Sequence, residues 1–193
     1  MVNRQIAASP LDRFESELAE RIGRPAYARP FVCHGSPLEC RAMVVGSHLA
    51  TALDLDFWEF WEPGAGFRRA AWEAEYRKAR RERGAVEVSP TRRILDRITE
   101  AAGPARCVEA NVHPAGPDVL GFLLESIRPA TVLAHGAKAR EFFAEYCGVG
   151  REPTDGFQRV STGWGSPRLR MVSHLQGCSY ARAHELGAAM RDE

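Results

Sequence analysis

Apolar positions along the chain recur with two different spacings. After Ser9-Pro10, the residues Leu11, Phe14, Leu18 and Ile22 repeat at helical spacing. A serine stands ready to cap that start, proline occupies the first turn and Gly23 follows the last apolar position. Prolines 25, 30 and 37 then punctuate a linker that leads to Arg41-Ala42-Met43-Val44-Val45-Gly46, a short apolar run of the kind a buried strand carries. Further strands are expected over 106–111, 131–134 and 169–172. Between them helices are expected over 65–82 with Gly84 beyond, from Ser89-Pro90 through Ile94, Leu95 and Ile98, and over 118–126. Another helix follows Gly136 with Ala139, Phe142, Phe143 and Tyr146, and a last one spans 180–190.

Strands that alternate with helices predict an α/β fold: a three-layer α/β/α arrangement around a central four-stranded, mainly parallel sheet. The length of 193 residues suits one domain over 1–193, with an N-terminal helix and linker (1–40) packed on the core. Open parallel sheets bind ligands outside the carboxyl ends of their strands. Here those ends read Gly46-Ser47-His48, Asn111-Val112-His113, His135-Gly136 and Ser173-His174, so polar and imidazole groups converge on one edge. Asn111 carries an amide donor and an acceptor, the pair needed to read a base edge, and it equally suits capping a turn before Pro114. His174 can donate to an oxygen that gains negative charge. Gly46 and Gly136 allow backbone to approach a ligand closely. Phe57, Trp58, Phe60 and Trp61 form a tight aromatic group, suited to packing, with one ring available to stack on a planar ligand.

Composition narrows the classes. Hydrophobic residues at 45% and charged residues at 26% are ordinary for a globular core. No apolar run approaches the ~20 residues of a membrane span, and the first residues lack the apolar segment of a secretory signal, so a cytoplasmic protein without membrane contact is expected. Five scattered cysteines without a Cys-x-x-Cys pair argue against a disulfide framework. Cys33, His34 and Cys40 match no common ligand spacing, and no metal is expected. The net charge of +1 leaves a polyanionic partner open. Arg68, Arg69, Arg77, Lys78, Arg80, Arg81, Arg83, Arg92, Arg93 and Arg97 crowd one region, either as a solvated helix face or with a subset on phosphates.

The ordered set of strand ends resembles the uracil-DNA glycosylase superfamily over about residues 41–190. Val44-Val45-Gly46-Ser47-His48-Leu49 stands at that family's first motif. Phe57-Trp58 sits where some mismatch-specific members carry a Phe-Trp pair, and Glu109-Ala110-Asn111-Val112-His113-Pro114 stands at the asparagine strand. The run from Val132 to Ala139 resembles the third strand and its glycine turn. Met171-Val172-Ser173-His174-Leu175-Gln176-Gly177-Cys178-Ser179 stands at the second motif. Two departures matter: His48 falls where the family has an acid or asparagine, and Leu175 and Gly177 fall on its prolines.

The resemblance implies a monomeric DNA repair glycosylase that flips uracil or a related deaminated base into a pocket and hydrolyses its N-glycosidic bond, without cofactor or metal. Asn111 would read the base, Phe57 or Trp58 would stack on it, and Gly46, Ser47 and His135 would complete the base pocket. His174 would stabilise the leaving base, and His48 would hold water. Asp54 or Asp56 would supply the missing carboxylate. Gln176, Gly177, Ser179 and Arg182 would meet the DNA backbone. Two other readings stand beside it: a non-catalytic binder of uracil-containing or abasic DNA, and a small-molecule hydrolase pairing Cys178 with His174 or His135.

Overall fold

The computed structural model describes residues 8–49, 51 and 53–191. Among these, α1 (Pro10–Ile22) opens on the expected cap. The Ser9 hydroxyl accepts from the Asp12 amide while the Asp12 carboxylate accepts from the Ser9 amide, and Gly23 closes the helix. The remaining helices are α2 (Arg69–Glu82), α3 (Pro90–Ala102), α4 (Pro117–Ile127), α5 (Ala137–Cys147) and α6 (Tyr180–Arg191). The strands are β1 (Phe31–Val32), β2 (Ala42–His48), β3 (Trp61–Glu62), β4 (Gly66–Phe67), β5 (Cys107–His113), β6 (Thr131–His135), β7 (Gln158–Arg159) and β8 (Arg168–Val172).

The main sheet runs β1-β5-β2-β6-β8-β7. Its four inner strands are the four expected from sequence, and they pair in parallel. The sheet is nevertheless six-stranded rather than four-stranded, because β1 and β7 add antiparallel edges. Each edge strand has two residues, too few for alternation to register in a sequence. The helix expected from position 65 starts at Arg69 instead. Gly64 and Gly66 adopt positive φ and turn β3 back on β4, so the chain enters the helix only after that hairpin.

Side chains leave β2 alternately to the two faces. Met43 and Val45 join a core with α1, α4 and α5, whereas Ala42 and Val44 join one with α3 and α6. Burial of each large aliphatic or aromatic side chain in these layers contributes about 1.5–3 kcal/mol. The α3–α6 layer is tightest at Gly187, where a Cβ would stand 2.1 Å from the Ile98 carbonyl oxygen and 2.8 Å from the Ala101 methyl. Glycine is therefore what lets these two backbones touch.

Because β5 lies on one side of β2 and β6 on the other, the chain reverses its winding at β2. The segment after β2 leads to α3 on one face, and the segment after β6 leads to α5 on the opposite face. The crevice between their carboxyl ends is the topological switch point, where open sheets of this kind hold ligands.

Candidate functional site

Register brings part of the predicted set together at that crevice. Gly46 pairs with Asn111, and His48 with His113, across β2 and β5. A Cβ on Gly46 would stand 2.6 Å from Asn111 Oδ1 and 2.8 Å from His135 Nε2, so the missing side chain makes room for both polar groups. His48 and His113 stack at the rim with ring centroids 5.1 Å apart and planes 10° from parallel. His174 meets His135 edge-on at 6.4 Å. A pocket open to solvent at its mouth lies against His48, Asn111 and His135, with Arg29, Trp72 and Glu109 also lining it.

The electrostatics differ between the histidines. His135 is 7% exposed. Burial, reinforced by the neighbouring His174, lowers its pKa from the ordinary 6.5 to about 4, so it is neutral at physiological pH. His174 has a fixed tautomer. Its Nδ1 accepts the Gln176 backbone N–H at 2.9 Å, so in the neutral ring the proton sits on Nε2, which is left to donate.

Glu109, two residues before Asn111 on the same strand, is 5% exposed. Arg92 grips its two oxygens at 2.5 and 2.7 Å. Arg69 Nη1 stands 2.9 Å from Oε1. That nitrogen has no hydrogen-bond partner by direction, so Arg69 pairs with Glu109 through charge alone. Burial would raise the Glu109 pKa, but the charges of Arg92 and then Arg69 overcome it and hold the group at about 2.

Several predicted residues stand elsewhere. The Asp54 side chain is fully exposed and its nearest cation, Arg83, is 4.0 Å away; it does not line the pocket. Asp56 accepts from the Trp58 and Ala26 amides, fixing a short 3-10 turn to the linker. Phe57 is buried against Phe31 and Phe67 and belongs to the core. Trp58 donates from Nε1 to the Gly23 carbonyl and lies under Arg24, tying down the end of α1. Neither aromatic can stack in the pocket, because neighbouring packing already takes the rings. The Ser47 hydroxyl accepts from the Lys138 and Ala139 amides at 3.1 and 3.3 Å. It thereby caps α5, whose own preceding residue, Gly136, has no side chain to do so.

The residues assigned to the DNA backbone lie along the β8–α6 connection. Gln176 and Gly177 are exposed. Ser179 accepts from the Arg182 amide in the first turn of α6, and the exposed Arg182 guanidinium pairs with Glu185 at 3.0 Å. Cys178 donates to the Ser179 carbonyl at 3.5 Å, and burial raises its pKa, which leaves the thiolate disfavoured.

Sequence reasoning missed Arg29, Trp72, Arg92 and Glu109 as pocket residues. Arg69 with Glu73 and Arg92 with Asp96 are spaced like surface helix pairs, which hides the second contact each arginine makes inside. The one available signal was Glu109 itself, an acid within an otherwise apolar strand. Among the described residues no group of three or more His, Cys, Asp or Glu side chains is arranged to hold a metal ion. No helix among them is long and apolar enough to cross a membrane.

The chain matches no protein-family model and no curated protein sequence.

Proposed function

We propose that the protein is a DNA glycosylase that excises uracil or a related deaminated base. The observation that carries this reading is the juxtaposition at Gly46, which sets the Asn111 amide and the neutral His135 side by side at the switch point of the sheet. An amide reads a base edge with a donor and an acceptor, and a neutral imidazole adds either without a charge. His174 supports the same reading through its tautomer, since Nε2–H is the donor that a departing base anion requires. In the cleavage the C1′–N bond breaks with its electron pair going to the base. Water held by His48 then adds its oxygen to C1′ and passes its proton to that imidazole. A flipped base costs a few kcal/mol in lost stacking, which a mismatch or a single strand reduces.

The test is release of free base from a uracil-containing oligonucleotide, single- and double-stranded. His174→Ala is expected to lower the rate by about 10²–10³, the usual worth of one oxyanion donor. Asn111→Ala is expected to abolish release. Wild-type protein that frees no base from either substrate removes the catalytic reading.

One observation favours a second reading, a binder of uracil-containing or abasic DNA without turnover. Glu109 is the carboxylate on the pocket wall, and two arginines already hold it. It is unavailable to steady a sugar cation. Tight, salt-sensitive binding to such DNA with no base release would select this reading.

A further inference from the structure

The inner wall of the pocket carries a guanidinium that no carboxylate among the described residues pairs with directly. Arg29, Arg69 and Arg92 gather around one buried carboxylate, Glu109. Arg69 and Arg92 each have a second acid on the outer side, Glu73 and Asp96. Among the described residues Arg29 has no carboxylate within ion-pair distance. Its guanidinium lies on the Trp72 ring at 4.7 Å, and the residue lines the pocket. Burial, opposed by Glu109 but aided by Arg92 and Arg69, lowers its pKa from 12.5 to about 10. Three guanidiniums thus meet three carboxylates, and Arg29 is the one of the three without a carboxylate in contact.

Two buried polar atoms of the residues on the same wall have no hydrogen-bond partner. Trp72, 2% exposed, has an Nε1 donor without a partner, and the buried His135 has an unpartnered Nδ1. Both residues line the pocket. Leaving one such group unpaired costs about 1–3 kcal/mol, so two together with an unmatched guanidinium mark a place that a ligand completes.

We propose that Arg29 binds an acidic substituent, so the preferred ligand is a planar heterocycle bearing a carboxylate rather than a neutral base. This rests on the pocket being the base-reading site. A carboxylate fits the planar fork of a guanidinium and supplies the charge that Arg29 lacks in contact.

Titration calorimetry with uracil, uracil-5-carboxylate, uracil-6-carboxylate and the corresponding carboxamides tests this on wild-type protein. One carboxylate isomer is expected to bind about tenfold or more tightly than both uracil and its own carboxamide, the worth of one charged hydrogen bond. Arg29→Met is expected to erase that preference, so that each carboxylate binds no more tightly than its own carboxamide, and Arg29→Lys to restore part of it. Equal affinity for carboxylate and carboxamide overturns the proposal, as does stabilisation by inorganic phosphate but by neither carboxylate. The carboxamide comparison needs no variant, so it stands even if Arg29→Met fails to fold. The same 5-substituted base placed in a single-stranded oligonucleotide separates a base within DNA from a free acid. Carboxylate preference without base release from any DNA would remove the glycosylase reading and keep this one. Uracil release without carboxylate preference would do the reverse.

Discussion

Gly46 is the residue on which most of the pocket depends, and its role is to be absent. A methyl group there would stand 2.6 Å from Asn111 Oδ1 and 2.8 Å from His135 Nε2, distances at which one partner must move. Gly46→Ala is therefore expected to destabilise the fold by about 1–3 kcal/mol, read by urea denaturation, and to lose base binding entirely. Glu109→Gln tests the opposite kind of residue, one whose charge is needed. It leaves the guanidiniums of Arg69 and Arg92 in the interior without their shared counter-ion, a loss of about 3–5 kcal/mol by the same measurement. The strand ends at Asn111, His135 and His174 were legible in the sequence because a parallel sheet dictates where its loops emerge. Phe57 and Trp58 were misread because an aromatic group beside a motif looks the same whether it faces a ligand or the core. Arg29 was invisible because nothing in a proline-rich linker announces that it folds over a pocket.

The expected parallel strands and helices formed within a few residues of their predicted bounds, since caps such as Ser9 and Ser89 and stops such as Gly23 are local signals. Contacts between elements were not legible, because they depend on layers that meet only in three dimensions. Ser47 capping α5 from the end of β2 is such a contact. Ser47→Ala is expected to lower stability by about 1 kcal/mol, the ordinary worth of a helix cap, seen as a modest fall in Tm. Base binding should survive, which distinguishes this capping role from the substrate contact the sequence suggested. Gly187 joins α3 to α6 in the same way. Through that contact the helix bearing Arg92 is held against the one that follows the His174 loop.

For the molecule as a whole, acid is expected to act in two stages. The folded pKa of His135 lies below its unfolded value, so the unfolded chain takes up a proton first as pH falls. Its contribution is present above pH 6.5 and is lost between there and about 4, up to roughly 3 kcal/mol. Glu109 is also depressed, and its share is present above 4.5 and lost as pH falls toward 2. Chemical denaturation across pH should show both, and His135→Phe should flatten the upper stage alone. The two-residue edges of the sheet have a further consequence. A neighbouring chain that adds a strand must find a row of unpaired amides and carbonyls, and β1 and β7 offer almost none. The long, apolar, β-rich segments of this protein lie inside the sheet, so fibrillar growth by backbone templating must first strip an edge away.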